Sequence, residues 1–338
     1  METVKEKGHE TNADKTVNIL LEARNLKKYF PIKEGMFTRD KRFIKAVDDI
    51  SLKIYEGETF SLVGESGSGK STLGRTLLRL HEPTDGRIFF QGQEITNLSR
   101  KKMREIRKDM QVIYQDPFGS LNPRMRVVDI VGEPLEINRV KRGKEKEKRV
   151  CELLELVGLD PARRHQFPHE FSGGQRQRIG IARAIALNPK FILADEAVSA
   201  LDVSVQAQVI NLMKDLQEQL GLTYLFIAHG LNIVRHISDR VGVMYLGHLV
   251  EVGEVEAIYE RPAHPYTFAL ISTNPTPDPR AERDKVILKG EIPSPSNPPS
   301  GCKFHTRCPL ATERCKVEAP KLTSIGKGRK VACHFPLG

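Results

Sequence analysis

The sequence predicts an α/β fold. Three short apolar runs, residues 60–63, 191–196 and 223–228, are typical of buried strands. The first run is followed by a glycine-rich loop and by an apolar pattern of helical period over residues 73–80, and the second by a helical pattern over residues 203–220. Strands therefore alternate with helices along the chain, which favours an α/β sheet.

The other elements are predicted in the same way, from alternating apolar residues for strands and from a helical period for helices. Residues 18–30 and 45–55 alternate apolar and polar side chains as half-buried strands do, and residues 86–95 predict a strand pair with glycine turns. Residues 115–171 separate two α/β portions and are predicted to form a helical subdomain. The remaining predictions are helices at 99–108, 127–138, 146–158, 179–187, 233–238 and 255–260, a strand at 110–115 and a strand pair at 240–253.

The loop after the first buried strand, residues 64–71, has the pattern G-x-x-x-x-G-K-S. Its glycines let backbone N–H groups turn towards phosphate oxygens, and the following helix directs the positive end of its dipole at the same anions. Lys70 is placed to reach terminal phosphates and Ser71 to offer a hydroxyl to Mg²⁺. The simpler alternative is a glycine turn, which the flanking strand and helix disfavour. A dinucleotide site is disfavoured because G-x-G-x-x-G is absent.

Acidic residues end the second buried strand. Ligands bind at the carboxyl ends of strands in α/β sheets, so Asp195 suits the second coordination shell of Mg²⁺ and Glu196 could polarise an attacking water. His229 ends the third strand and can reach a γ-phosphate. Each residue alone would indicate only an exposed strand end. Together with the phosphate-binding loop they predict a site for nucleotide hydrolysis.

Composition restricts the class of protein. The 338 residues suit one sizeable domain plus a smaller one, and 39% apolar with 28% charged residues is typical of globular chains. No apolar run approaches the roughly 18 residues of a membrane span, and residues 1–16 show no signal peptide, so we expect a cytosolic chain. The net charge of +10 would allow a nucleic-acid partner, but the basic residues 100–108 and 139–149 also contain Glu, as exposed helix faces do.

The motifs together identify a family. The loop, Gln115 after a strand, F-S-G-G-Q at 171–175, Asp195-Glu196, S-A-L-D at 199–202 and His229 occur in the order and rough spacing of an ABC transporter nucleotide-binding subunit. This resemblance covers about residues 18–260. Residues 111–124, the H-P-Y-T tetrad at 264–267 and a cysteine-containing tail further resemble the ATP-binding subunits of oligopeptide and dipeptide importers, over nearly the whole chain after residue 18.

The resemblance implies a domain organisation. Residues 1–17 would be a polar tail, and residues 18–261 a P-loop ABC ATPase domain with a RecA-like core, an antiparallel β subdomain and a helical subdomain at about 115–171. Residues 262–338 would form the importer-type C-terminal extension, a small irregular tail.

The resemblance also implies roles for individual residues. Phe30 would stack on adenine, with Tyr29 as the alternative, and Glu196 would be the general base. Gln115 would sense Mg²⁺ and the attacking water, and His229 would contact the γ-phosphate. Mg²⁺ would be held by Ser71, Gln115 and Asp195. The phosphates would be wrapped by Gly64, Glu65, Ser66, Gly67, Ser68, Gly69, Lys70, Ser71 and Thr72, and ATP on a partner subunit would be covered in trans by Ser172, Gly173, Gly174 and Gln175.

Two positions depart from the family pattern. Ala197 stands where the family usually has proline, and Gly230 where it usually has aspartate. Neither change removes a catalytic side chain, but both add backbone freedom beside one. We therefore expect turnover slower than the family norm.

The resemblance implies a function and partners. The chain would bind and hydrolyse ATP to power import of oligopeptides or dipeptides, from the cytoplasmic face of the membrane as a peripheral subunit. It would pair with a second, paralogous nucleotide-binding subunit and with two transmembrane permease subunits, which residues 118–127 would contact. An external peptide-binding protein would act indirectly, and no nucleic acid would bind.

Two alternatives are weighed against this function. The first is a soluble ABC-type ATPase acting on DNA. Such proteins usually carry a long insertion between the phosphate-binding loop and the F-S-G-G-Q pattern, whereas the insertion between them is short here. The second is an ATP-binding regulator without hydrolysis, which the intact Glu196 and His229 disfavour.

Four cysteines lie in the tail with the spacing C-x5-C-x6-C-x17-C. In a cytosolic chain this favours metal over disulfides. Some members of the importer family carry a [4Fe–4S] cluster in such a tail, and Zn²⁺ and free or paired thiols remain alternatives. The four residues are Cys302, Cys308, Cys315 and Cys333.

Overall fold

The computed structural model describes residues 18–32, 42–116, 119–228, 231–273 and 290–338, so the predictions for residues 1–17, Phe118, His229 and Gly230 lie outside the described residues. The strands are β1 (Ile19–Pro31), β2 (Phe43–Tyr55), β3 (Thr59–Val63), β4 (Asp85–Phe90), β5 (Gln93–Glu94), β6 (Met110–Ile113), β7 (Phe191–Asp195), β8 (Thr223–Ile227), β9 (Arg240–Tyr245), β10 (His248–Glu254), β11 (Thr323–Gly326) and β12 (Arg329–Val331). The helices are α1 (Lys70–Leu77), α2 (Arg100–Ile106), α3 (Val127–Ile137), α4 (Gly143–Leu156), α5 (Gly173–Ile185), α6 (Val203–Leu220), α7 (Leu231–Ile237), α8 (Val255–Glu260), α9 (Pro265–Ser272) and α10 (Glu313–Val317).

Two sheets form the fold of the described residues. A four-stranded antiparallel sheet has the order β2-β1-β4-β5. The larger sheet has the order β11-β12-β10-β9-β3-β8-β7-β6, and its strands from β9 to β6 run parallel. The carboxyl ends of β3, β7 and β8 therefore meet at one edge, where open α/β sheets bind ligands.

The small sheet packs against α1 and one face of the large sheet. Leu21 and Ile50 from the small sheet share one apolar cluster with Leu73 and Leu77 of α1 and with Phe60 of β3. Each of these side chains is no more than 1% exposed. Burial of this apolar surface fixes α1 between the two sheets.

A helical subdomain follows β6, as predicted. It contains α3, α4 and the start of α5, and the predicted apolar face of α4 is buried at Val150, Leu153 and Leu154. Two 3₁₀ turns, Pro161–His165 and Pro168–Glu170, then lead to Phe171, which is 5% exposed in the same core. The phenylalanine of the F-S-G-G-Q pattern therefore anchors the start of α5 to this subdomain.

The C-terminal segment extends the large sheet and has more regular structure than the irregular tail that the sequence predicts. β12 pairs antiparallel with β10, and β11 with β12. Glu251 of β10 is fully buried, and its carboxylate accepts hydrogen bonds from the backbone N–H groups of Ala263 and His264, both at 2.9 Å, and from Arg329 at 2.8 Å. A buried carboxylate requires such partners, so it fastens the start of the extension to the sheet.

Most predicted elements are confirmed within a few residues, and three differences bear on the site. α1 begins at Lys70 rather than at residue 73, and β6 ends at Ile113, before the predicted residue 115. α5 begins at Gly173 rather than at residue 179. Ser172 Oγ accepts from the backbone N–H of Gln175, and Gln175 Oε1 accepts from the backbone N–H of Ser172, a capping box that apolar periodicity cannot detect.

Candidate active site

The loop between β3 and α1 is held by close backbone contacts at its two ends. Gly64 has φ 149° and Gly69 has φ 102°. A Cβ atom at Gly64 would lie 2.2 Å from the carbonyl oxygen of Met244, and one at Gly69 would lie 2.0 Å from the carbonyl oxygen of Ala46. Both positions therefore require glycine, and the loop can take its shape only because these side chains are absent.

The side chain of Lys70 turns back into the loop that precedes it. Its Nζ donates to the carbonyl oxygens of Gly64 at 2.8 Å and Glu65 at 3.1 Å, and to Ser68 Oγ at 3.4 Å. Burial lowers the pKa of Lys70, while nearby carboxylates act in the opposite direction. Carbonyl dipoles and carboxylates thus favour a cation at the position where the sequence predicts contact with phosphates.

Asp195, at the carboxyl end of β7, is 1% exposed. Its Oδ2 accepts hydrogen bonds from Arg75 Nε at 3.1 Å and Nη2 at 2.9 Å, whereas Oδ1 has no hydrogen-bond partner among the described residues. Sequence reasoning missed Arg75, although it follows Ser71 by four residues and so lies on the same helical face. A buried carboxylate oxygen without a donor costs free energy, which suits this atom to a further ligand.

Glu196 follows β7 in the left-handed conformation, at φ 54°. The predicted strand 191–196 therefore ends one residue earlier. The turn is fixed because the Glu196 N–H donates to the carbonyl oxygen of Ile227 at 3.0 Å, and its own carbonyl accepts from the N–H of Ser199 at 3.1 Å. A left-handed backbone is uncommon for a residue other than glycine, so these two hydrogen bonds hold Glu196 in it.

A cleft of about 360 Å³ joins the loop at Lys70 to Glu196, and its volume is within the usual size of small-molecule sites. Asp195 does not line the described cleft. Phe30 forms one part of its wall, and the ring of Phe30 meets the ring of His81 edge-on at 5.6 Å. The hydroxyl of Tyr29 instead donates to Asp48, and Tyr29 does not line the described cleft, so of the two aromatic residues Phe30 is the one at the described cleft. The rest of the wall comes from Ile44, Ala46, Ser66, Gly67, Gly69, Lys70, Ser71, Thr72, Glu196 and Pro295.

Two of the predicted catalytic residues are not among the residues described at this cleft. Gln115 is exposed beyond the end of β6 and does not line the described cleft. His229 is outside the described residues. The roles that sequence analysis gives them stay predictions.

Residues 172–175 of the F-S-G-G-Q pattern lie at the N-terminus of α5 and do not line the described cleft. Ser172 is exposed, and Gly173 and Gly174 are half-buried. A Cβ at Gly174 would lie 2.4 Å from Cγ1 of Val205 on α6. Gly174 therefore allows α5 and α6 to approach, and the helix N-terminus stays accessible to a ligand held elsewhere.

The four C-terminal cysteines lie within electrostatic reach of one another. Burial, with a smaller contribution from Cys315, Cys333 and Cys308, raises the pKa of Cys302 to about 11. All are free thiols. Over the described ranges, no group of three or more His, Cys, Asp and Glu side chains is arranged to hold a metal ion.

Comparisons with known proteins agree with this geometry. A family model described as "ABC transporter" matches residues 47–199, and one described as "Oligopeptide/dipeptide transporter, C-terminal region" matches residues 250–315. The chain is 55% identical to the oligopeptide transport ATP-binding protein AppF of Bacillus subtilis over 94% of this chain and 97% of that protein. It is 56% identical to the putative oligopeptide transport ATP-binding protein YkfD of the same organism, over 94% and 95%.

Solved structures show the same fold. A dimeric ATP-binding cassette in a post-hydrolysis state, bound to ADP and Pi, is 31% identical with a TM-score of 0.61, covering 70% of this chain and 99% of that one. The protein cbiO1 of Clostridium perfringens, part of the ABC transporter complex cbiONQ, is 26% identical with a TM-score of 0.63, covering 72% of this chain and 91% of that one. In the part of the chain that the structure describes, no helix has the length and apolar character to span a membrane.

The first prediction concerns the close contact at Gly69. Gly69→Ala should lower the free energy of unfolding by at least about 2 kcal/mol more than Gly92→Ala. Both changes strain a positive φ, but the new Cβ at Gly69 would also meet a backbone oxygen, whereas Gly92 has no atom within 4 Å. Urea unfolding of the two variants measures the difference, and equal losses would contradict the contact.

Proposed function

Because the chain belongs to the ABC transporter family of ATP-binding subunits, we propose that it binds and hydrolyses ATP to power import of oligopeptides or dipeptides. The observation that carries this proposal is the cleft in which Lys70, Ser71 and Glu196 meet beside Phe30. Residues 18–261 would form the ATPase domain, with the helical subdomain at about 115–171, and residues 262–338 the extension.

The cleft fits a magnesium nucleotide. The unpartnered Asp195 Oδ1 is a buried anionic acceptor, which suits a hydrated cation, and Ser71 in the cleft wall can offer its hydroxyl to the same ion. When bound, Mg²⁺ would neutralise charge that develops on the phosphate oxygens. Gln115 would complete this set. Arg75 donates both of its hydrogen bonds to Oδ2 of Asp195 and leaves Oδ1 without a donor from the guanidinium.

Glu196 is the proposed general base. Its left-handed backbone is fixed by hydrogen bonds on both sides, and the residue forms part of the cleft wall. A carboxylate there would accept a proton from water that attacks the γ-phosphate, and His229 would contact that phosphate. Ala197, buried at 1% exposure, replaces the usual proline, so the hydrogen bonds to Ile227 and Ser199 must orient Glu196.

A partner subunit would complete each site. Ser172, Gly173, Gly174 and Gln175 are placed at an exposed helix start away from the described cleft, which supports contact with ATP on the other subunit. A solved relative of this fold is described as dimeric. We propose an ATP sandwich with a second, paralogous nucleotide-binding subunit.

The second prediction separates binding from hydrolysis. Lys70→Ala should weaken ATP binding at least about tenfold, because it removes the cation of the loop. Glu196→Gln should leave ATP binding within about twofold but lower hydrolysis by about 100-fold or more, because the amide cannot accept the proton. Equilibrium binding and phosphate release, measured on the assembled complex, give both values. Normal hydrolysis by Glu196→Gln would exclude Glu196 as the base.

The proposed membrane partners are two permease subunits, which would hold this chain at the cytoplasmic face as a peripheral subunit. A second cleft, of about 350 Å³, lies between β6 and the helical subdomain and includes the exposed Leu80 and Tyr114 together with Ser120. Ser120 falls within residues 118–127, the predicted contact. A cytoplasmic segment of a permease is the proposed occupant. The relatives do not support the alternative of an ATPase acting on DNA.

The third prediction tests this contact. Co-expressed with its membrane subunits, the chain should sediment with membranes, and Leu80→Asp should abolish this because a charge would enter an apolar contact. Val317→Asp, at a residue 80% exposed in the C-terminal extension, is the matched control and should sediment normally. Both variants should bind ATP as the unaltered chain does. Sedimentation of Leu80→Asp to the same extent would argue against this cleft.

The cysteine set is the proposed site of a [4Fe–4S] cluster, with Zn²⁺ as the alternative. The number and spacing of the four thiols support this proposal, because four thiolates suit either group, whereas the described residues show no three such side chains arranged around a metal position. When bound, the cluster would supply a crosslink between Cys302, Cys308, Cys315 and Cys333 rather than chemistry on the nucleotide.

The fourth prediction is the metal content. Protein purified without oxygen should be brown and contain about four iron atoms per chain. Cys308→Ser should lose iron, while Cys151→Ser, in the helical subdomain, should keep it. A colourless protein without iron would exclude the cluster, and about one zinc per chain would favour the alternative.

A further inference from the structure

Glu65, the second residue of the phosphate-binding loop, is contacted from the C-terminal segment in two ways. Its carboxylate accepts two hydrogen bonds from Arg307, at 2.7 Å from Nη1 to Oε2 and at 3.0 Å from Nη2 to Oε1. Its backbone N–H donates to the hydroxyl of Tyr266 at 2.9 Å. The two partners lie 242 and 201 residues away along the chain.

The same residue is also tied to the loop itself. The carbonyl oxygen of Glu65 accepts from Lys70 Nζ at 3.1 Å and from the backbone N–H of Ser68 at 3.2 Å. The N–H, the carbonyl and the carboxylate of Glu65 are therefore all occupied. The peptide planes on both sides of this residue are fixed, and with them the direction of the loop that leads to Lys70.

The Arg307–Glu65 pair is shielded from water. The side chain of Arg307 is 7% exposed and that of Glu65 is 24% exposed. A two-pronged arginine–carboxylate contact has one preferred geometry, unlike a single point-charge contact. The guanidinium also lies 6.0 Å from the ring centroid of Tyr245, at the end of β9. The contact therefore fixes the position of the Glu65 side chain as well as balancing its charge.

The two partners are themselves held in place. Phe304, 1% exposed, packs edge-on against Tyr245 at 5.3 Å and contacts Tyr266 at 5.2 Å, and its carbonyl oxygen accepts from the N–H of Arg307 at 3.0 Å. Tyr266 lies in the first turn of α9, where His264 caps the helix by accepting from the Tyr266 N–H at 3.0 Å. The Glu251 network holds the chain just before that cap. Arg307 and Tyr266, which together form a clamp on Glu65, are thus attached to the large sheet through buried contacts.

We propose that Arg307 and Tyr266 are positioning residues for nucleotide binding, and that the C-terminal segment sets the phosphate-binding loop in its receptive shape through Glu65. The proposal rests on the assignment of the nucleotide to this loop. Without Arg307 the Glu65 carboxylate would be released beside the position of the phosphates, where it would repel them. Without the Tyr266 hydroxyl the Glu65 N–H would lose its acceptor, and the loop would be free to turn.

The alternative is that the contact only fastens the C-terminal segment to the ATPase domain. That role predicts a loss of stability and no specific change in nucleotide affinity. The positioning role predicts a higher KM for ATP with kcat little changed, because loop shape affects binding and leaves Glu196 and its water untouched.

The fifth prediction uses the full-length chain and a fluorescent ADP analogue with Mg²⁺. Arg307→Met should raise the Kd about tenfold, equivalent to about 1.4 kcal/mol, and Tyr266→Phe about fivefold, as expected for one lost hydrogen bond. Arg314→Met is the matched control, because Arg314 lies in the same segment and pairs with the exposed Glu318; its Kd should not change. In the assembled complex, Arg307→Met should raise KM by the same factor and keep kcat within about twofold.

A double variant tests the route through Glu65. If Arg307 acts through Glu65, the variant with both Glu65→Ala and Arg307→Met should bind ADP no more weakly than Arg307→Met alone. An unchanged Kd for Arg307→Met, or losses that multiply in the double variant, would overturn the proposal. If Arg307→Met does not fold, Tyr266→Phe decides, because it keeps the packed ring, and an unchanged Kd there has the same consequence.

Failure of the site assignment gives a different result. Lys70→Ala should weaken binding of the ADP analogue at least about tenfold whether or not Arg307 and Tyr266 matter. An unchanged Kd for Lys70→Ala would refute the proposed nucleotide site. A Kd that rises in Lys70→Ala but stays unchanged in Arg307→Met and Tyr266→Phe would refute only the positioning role.

Discussion

The close approach of the phosphate-binding loop to two backbone carbonyl groups is the constraint on which the rest of the site depends. Gly64 lies against Met244 of β9 in the large sheet, and Gly69 lies against Ala46 of β2 in the small sheet. The loop is therefore wedged between the two sheets. Its shape cannot be set before both sheets have assembled around α1, so the site and the packing of the fold form together.

Buried charge then determines how the C-terminal segment joins this arrangement. Glu251 and Arg307 are both removed from water, and each is acceptable only with well-placed partners. Glu251 finds them at the start of the extension and on β12, and Arg307 finds them on the loop. A segment that could have been an appendage is thereby coupled to the nucleotide site, because its detachment would leave uncompensated charges on the ATPase domain.

Much of the fold and part of the site could be predicted from the sequence because the signals are local. The loop pattern, the buried strands and the apolar face of α4 each lie within one stretch of chain. The pairs Arg75–Asp195 and Arg307–Glu65 could not be predicted, since they join residues 120 and 242 positions apart. The early start of α5 was missed because a capping box is polar, and the left-handed turn at Glu196 follows from contacts with β8 rather than from periodicity.

The placement of charge explains why one chain alone would hold a nucleotide without completing its site. Its own cleft is lined by Lys70 and other residues of the loop together with Glu196 and Phe30, and residues 172–175 are not part of the described wall. The first turn of a helix leaves N–H groups without acceptors inside the helix, and at α5 the absence of side chains at Gly173 and Gly174 leaves that turn approachable. In the proposed sandwich, each chain supplies this turn to the other. Stabilisation of the triphosphate on both sides would then require two subunits, so ATP itself would hold the subunits together until hydrolysis separates the γ-phosphate from ADP.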